Sequence, residues 1–196
     1  MKSSIYTRTG DGGESGLYNG ERRRKTDDIF EALGHQDELN AVLGIAKEHC
    51  LASGNGLSEM IVEIQCRVFD LGACVATPPT SSSTKKQYTN FPASHTTQLE
   101  SWIDELDASL PPLRNFIIPS GGLSSTHLNL ARTVCRRAER SVVRLMEVHA
   151  VDAEVARYLN RLSDFLFVAG RAAAMREGKE EVIWRKHESA VGTSST

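Results

Sequence analysis

Arg132, Arg136, Glu139 and Arg140 recur at i, i+4, i+7 and i+8, a spacing that sets three guanidiniums and a carboxylate along one face of a helix. A guanidinium row binds phosphate oxygens through forked N–H groups, so it suits a polyphosphate. The same spacing also describes a solvated basic face whose intrahelical pairs contribute about 0.2–0.5 kcal/mol each. Arg137 and Arg144 fall on the opposite, outward side, where the solvated reading fits better. A second polar stripe, Asn160, Ser163, Asp164, Phe167 and Arg171, follows at helical spacing. It reads either as a hydrogen-bond network between helices or as the wall of a pocket for a polar ligand.

Near the start of the chain, Gly10-Asp-Gly-Gly13 and Gly16 lie among Thr7, Thr9 and Ser15, so bare backbone N–H groups and hydroxyls are available to wrap phosphate oxygens. Neither the Walker loop nor the dinucleotide fingerprint is present, because no Gly-Lys-Ser/Thr ending follows and Ser15 stands where a third glycine belongs. A plain flexible turn remains the competing reading. Lys25 and the arginines at 22–24 lie just downstream, placed to neutralise such a polyphosphate. On the first long helical pattern, Asp37 is either a surface acid or a clamp for an arginine such as Arg132 across a helix or subunit boundary. The six histidines offer neither H-x-x-x-H nor E-x-x-H, so a di-iron bundle lacks its ligands and no protein-held metal site is expected.

Elements of some length must position these groups. The 196 residues, with 23 basic against 25 acidic side chains, fit one domain whose net charge of −2 gives no general attraction to nucleic acid or to an anionic membrane. No apolar run approaches the roughly 20 residues of a membrane span. Residues 1–6 hold no secretory apolar stretch, and no transit peptide is visible. Cys50, Cys66, Cys74 and Cys135 read as core residues of a reduced protein, with neither disulfide nor zinc spacing.

Residues 1–26 read as an irregular, glycine-rich arm, residues 27–187 as a helical domain, and residues 188–196 as a disordered tail. Helices are expected over 29–49, opened by Asp27 and Asp28; over 57–77, with Ser58 as cap; and over 95–110. Two more follow over 124–149 and 153–177, the latter capped by Asp152. The last two carry Leu128, Ala131, Cys135, Ala138, Val142 and Leu145 against Val155, Leu159, Leu162, Leu166, Ala169 and Ala173, all at 3-4 spacing. Their short link makes them antiparallel neighbours. Pro78-Pro79 and the serine-threonine run after them predict a mobile surface loop over 78–95, and residues 116–122 an extended stretch and tight turn. The fold class is all-α, an up-and-down five-helix bundle.

Five motifs occur in order: Thr7-Arg-Thr-Gly-Asp-Gly-Gly13, Asp37-Glu-Leu-Asn40, Phe116-Ile-Ile-Pro-Ser-Gly-Gly122, Cys135-Arg-Arg-Ala-Glu-Arg140 and Tyr158-Leu-Asn-Arg-Leu-Ser-Asp-Phe165. Together, over residues 5 to 186, they resemble the PduO-type ATP:cob(I)alamin adenosyltransferases, the family of the animal mitochondrial enzyme of vitamin B12 metabolism.

That resemblance implies a ferritin-like homotrimer with ATP and a corrinoid in clefts between subunits. Thr7, Arg8, Thr9, Gly10, Ser15, Gly16 and Lys25 would bind ATP from one subunit, and Arg136, Glu139, Arg140 and Asn160 from the next; Arg137, inside the same motif, joins that set. Asp37 and Arg132 match an intersubunit ion pair, and Phe116 the aromatic on the lower axial face of cobalt, with Phe165 and Phe167 in the matching helical region. The implied reaction carries the 5′-deoxyadenosyl group of ATP to cob(I)alamin with Mg²⁺ on the phosphates. It needs no general base, since cobalt is the nucleophile. Implied partners are a cobalamin reductase and an adenosylcobalamin-dependent mutase, in the mitochondrial matrix, with a cytoplasmic setting as the alternative. A carrier that hands adenosylcobalamin to the mutase is the competing function.

Overall fold

A computed structural model describes residues 5–148 and 150–186. Two short strands, β1 (Glu14–Gly16) and β2 (Arg22–Arg24), precede α1 (Asp28–Ser53) and α2 (Ser58–Val75). Then come α3 (Ser83–Tyr88), α4 (Ser94–Asp107), β3 (Ile117–Ile118), α5 (Gly122–Glu147), α6 (Ala153–Arg176) and β4 (Val182–Ile183). The five long helices are those the apolar spacing predicts. The expected tail, 188–196, lies outside the described residues.

Helix boundaries follow from capping chemistry. The Asp27 carboxylate accepts the Ile29 N–H and starts α1, and Gly54, at φ 66°, stops it by donating its N–H back to the Cys50 and Leu51 carbonyls. Asp152 caps α6 by accepting the Glu154 N–H at 2.8 Å. Ser58 is not the cap of α2. The helix begins one residue earlier than that role requires, and the Asn55 amide oxygen takes the Leu57 N–H at 3.1 Å instead.

The α5–α6 seam is the centre of the core, with all twelve of its predicted residues buried. Burying each leucine there contributes about 1.5–3 kcal/mol. Gly170 permits the close crossing: a Cβ at that position would lie 3.2 Å from the Asn129 amide nitrogen and 3.5 Å from the Ser125 carbonyl. Ile29, Ala32, Leu39, Leu43, Ala46 and Cys50 line one stripe of α1. That helix packs on both α2 and α5, while α4 lies on α6. Of the four cysteines, all free thiols, Cys66 is exposed rather than core, because its position on α2 faces away from the Ile61, Ile64, Val68 and Leu71 stripe.

Two expectations are corrected. Residues 78–95 are not a featureless loop: Pro78, Ser81 and Phe91 are buried, and α3 forms where the Ser82 hydroxyl accepts the Lys85 N–H. The segment is fixed by tertiary contact, with Phe91 packed edge-on against Tyr158 at 5.1 Å. Nor is the arm irregular throughout, since β1 and β2 form an antiparallel ribbon with Ser15 opposite Arg23 and Gly16 opposite Arg22. Its tip is anchored by buried Leu17 and by the Tyr18 N–H donating to the Ala76 carbonyl at 3.0 Å.

Candidate active site

Helix α5 presents Arg136, Glu139 and Arg140 around an open depression of about 400 Å³ that Val143 and Arg144 complete. Helix α6 supplies Asn160, whose amide donates to the Glu139 carboxylate at 2.8 Å and whose carbonyl accepts the Ser163 hydroxyl at 2.8 Å. Glu139 is thereby held in place. Arg136 and Arg140 are exposed and make no hydrogen bond or ion pair among the described residues. Two unpaired guanidiniums beside a fixed carboxylate form a site for an anion that also carries a donor or a bound cation.

Beneath this row, Cys135 donates its S–H to the Leu159 carbonyl at 3.2 Å. Burial, followed by the negative charge of Glu139, pushes its thiol well above the ordinary range, so it is not a nucleophile. Arg137 does not line the depression: on the outward side it makes an ion pair with Glu38, both side chains partly exposed, which ties α5 to α1. The α1–α5 packing brings that partner alongside.

The arm builds a second surface. Thr7 and Thr9 share a hydroxyl–hydroxyl bond of 2.8 Å, and Arg8 between them sits at φ 61°, a strained left-handed conformation for a side chain of its size. A turn through Gly10 and Gly13 follows, closed by the Gly13 N–H on the Gly10 carbonyl at 3.2 Å and by the Lys25 N–H on the Gly13 carbonyl at 2.9 Å. The Lys25 ammonium lies against Gly10, where a Cβ would stand 3.4 Å from it. Arg22 donates to the Thr9 carbonyl at 2.7 Å and braces the turn from the other strand. The result is a strand-mounted turn displaying Thr7, Arg8, Thr9 and Lys25 to solvent, with Ser15 half-buried and Gly16 exposed behind them. Among the described residues, no hydrogen bond or ion pair joins residues 7–25 to Arg136, Glu139, Arg140 or Asn160.

Asp37 and Arg132 are likewise unpaired with each other in the protomer. Asp37 sits on the rim of a mainly apolar groove of about 300 Å³ between α1 and α2, near Leu33 and Phe69. Arg132 sits elsewhere, with its guanidinium 6.0 Å from the Phe167 ring centre and its Nε buried without a partner. It shares a small cavity with Ile117, Ile118 and Phe167, so the strand after Phe116 runs past Arg132. Phe165 is fully buried against Trp102, whereas Phe116 is 80% exposed.

Of the α6 polar stripe, Asp164 pairs with Arg161 on the surface, and Arg171 is a buried tie rather than a ligand group. It donates to the Pro111 carbonyl at 2.8 Å and pairs with Glu181 at 3.3 Å. Sequence reasoning missed Trp184, which meets Phe116 edge to face at 6.4 Å. Its signal was the short apolar run Val182-Ile-Trp184, long enough to pair with Ile117 and Ile118.

A family model described as cobalamin adenosyltransferase matches residues 5–173. The chain belongs to that family. Among its relatives, the mouse and human corrinoid adenosyltransferases MMAB are each 48% identical over 185 residues. That match covers 94% of this chain and 78% and 74% of those proteins, respectively. The corrinoid adenosyltransferase of Mycobacterium leprae is 40% identical, over 92% of this chain and 95% of its own. A variant PduO-type ATP:corrinoid adenosyltransferase from Lactobacillus reuteri, solved with cobalamin and ATP, superposes with a TM-score of 0.87 at 33% identity, covering 93% of this chain and all of that one. Another variant of the same bacterial protein, complexed with ATP, gives a TM-score of 0.84 at 35% identity, covering 92% of this chain and 100% of that chain. This member of the family thus shares its helical architecture with the bacterial protein.

Proposed function

We propose that this adenosyltransferase moves the 5′-deoxyadenosyl group of ATP to the cobalt of cob(I)alamin. The cobalt electron pair attacks the 5′ carbon, a cobalt–carbon bond forms, the carbon–oxygen bond breaks, and triphosphate leaves with the bonding electrons. The protein's task is to hold cobalt and carbon in line and to stabilise charge on the leaving group. The observation that supports this reading is the pair of unpaired guanidiniums, Arg136 and Arg140, beside a Glu139 fixed by Asn160.

Among the described residues the arm makes no hydrogen bond or ion pair with this cationic face, and Asp37 makes none with Arg132. Both facts support a homotrimer in which the arm, roughly residues 1–26, closes over a nucleotide held by its neighbour's bundle. Thr7, Arg8, Thr9, Gly10, Ser15, Gly16 and Lys25 then meet the triphosphate from one side, and Arg136, Arg140, Glu139 and Asn160 from the other. Arg137, occupied by Glu38, acts in this reading by holding α5 against α1. Asp37 of one subunit pairs with Arg132 of the next.

Among the described residues no group of three or more His, Cys, Asp or Glu side chains is placed to hold a metal ion. Mg²⁺ carried on the phosphates, with Glu139 the nearby carboxylate, would neutralise charge on the leaving triphosphate. Phe116 is exposed and apolar, suited to cover the lower face of the corrinoid and exclude an axial ligand, which eases reduction of cobalt(II) to cobalt(I). A cobalamin reductase would supply that electron, and an adenosylcobalamin-dependent mutase would receive the product, in the mitochondrial matrix. No described helix is long and apolar enough to cross a membrane.

The test is anaerobic mixing of protein, MgATP and chemically reduced cobalamin while following absorbance. Appearance of the adenosylcobalamin spectrum with release of one triphosphate per cobalt is expected. Protein that binds ATP yet never forms the cobalt–carbon bond would refute the proposal.

A further inference from the structure

Phe116 lies outside the buried core, and among the described residues its aromatic neighbour is Trp184, at 6.4 Å with an interplanar angle of 89°. The Trp184 N–H also donates to the Phe116 carbonyl at 2.8 Å. This bond extends the ribbon in which Ile117 faces Ile183 and Ile118 faces Val182. Strands of two residues do not hold themselves together. Here the ribbon is fastened at its Ile118–Val182 end, where the Val182 N–H donates to the Ser120 hydroxyl at 2.8 Å and buried Arg171 links Glu181 to the Pro111 carbonyl upstream of Phe116. The segment bearing Phe116 is therefore paired with the stretch that follows α6 and tied to the bundle through Arg171.

We infer that Trp184 is the positioning residue for Phe116. An exposed phenylalanine beside a two-residue strand is free to change rotamer, and a ring that covers one face of a corrin must hold its orientation. Edge-to-face contact with an indole favours a single ring attitude, and the backbone bond fixes the register from which the side chain springs. Residues 182–184 thus act on cobalt chemistry without touching the nucleotide. The inference rests on the axial-face reading of Phe116.

The experiment compares wild type, Trp184→Ala, Trp184→Phe, Phe116→Ala and the Trp184→Ala/Phe116→Ala double variant, each as full chain. Calorimetry gives MgATP affinity, and electron paramagnetic resonance gives the four-coordinate fraction of bound cob(II)alamin. Trp184→Ala is expected to keep ATP affinity within twofold while lowering the four-coordinate fraction at least fivefold. Trp184→Phe, which retains an aromatic edge, should recover most of it, and the double variant should match Phe116→Ala. A wild-type fraction in Trp184→Ala, with the signal abolished in Phe116→Ala, would overturn the positioning role alone. So would a double variant well below Phe116→Ala, or equal losses of ATP affinity and cobalt signal. A wild-type fraction in Phe116→Ala would instead overturn the axial-face reading itself.

Discussion

Replacing Arg136 by alanine separates a binding residue from a structural one with unusual clarity, because the protomer uses this guanidinium for nothing else. It is exposed and has no hydrogen bond or ion pair among the described residues, so its loss leaves no buried group without a partner. Exposed substitutions of this kind change stability by no more than about 0.5 kcal/mol. For a domain of this size that is about 1–2 °C in Tm at fixed protomer concentration. A charge-assisted hydrogen bond to a phosphate contributes about 1.5–3 kcal/mol, which converts to a roughly 10- to 150-fold weaker Kd for MgATP. Arg136→Lys, which keeps the charge but not the fork, should fall between the two. Titration calorimetry and thermal unfolding on the same samples check both numbers. An unchanged Kd would assign Arg136 to the solvated face, and a Tm loss of many degrees would show that it carries structure instead.

Arg171→Ala removes the buried tie to Pro111 and Glu181 and is expected to cost about 1.5–3 kcal/mol, about 3–12 °C in Tm, with faster amide exchange over residues 111–118. Retained protection of that segment would contradict the mounting role. Gly121→Ala meets two obstacles at once: Gly121 stands at φ 86°, and the new Cβ would lie 2.5 Å from the Ala174 Cβ. Strain and overpacking together should destabilise by about 2–5 kcal/mol in a urea melt, and a loss below 1 kcal/mol would show that the turn relaxes freely. Asn160→Ala frees Glu139 and should slow turnover while leaving Tm within about 2 °C, since the bond it breaks is exposed. A normal kcat would release Asn160 from the site.

What the sequence made legible was decided by periodicity. The leucine and alanine seams of α5 and α6 follow from local spacing, and so does the face shared by Arg136, Glu139 and Arg140. Caps were legible where an aspartate stood at the right offset, as at Asp27 and Asp152. They failed at α2, where the capping oxygen belongs to Asn55 in the preceding turn. The order of segment 78–95 is not legible in the sequence because it comes from Phe91 packing on Tyr158 of α6, a tertiary effect that composition does not carry. Arg137 shows the limit of reading a single helix: its partner, Glu38, is 99 residues away, and only the α1–α5 packing brings the two together. The arm ribbon escaped notice for a related reason, since glycine and arginine strands have no alternation of apolar residues to reveal them.

The central claim, a site shared between two chains, is tested most directly by mixing two impaired proteins at an MgATP concentration too low for either alone to turn over. Lys25→Ala disables the arm, and Arg136→Ala disables the cationic face. Dissociated and reassembled in equal amounts, they would give, in the proposed trimer, about a quarter of sites that combine an intact arm from one chain with an intact arginine from its neighbour. Recovery of roughly that share of wild-type turnover is predicted. Mixtures no more active than their components would place both residues in one chain's site and contradict the account.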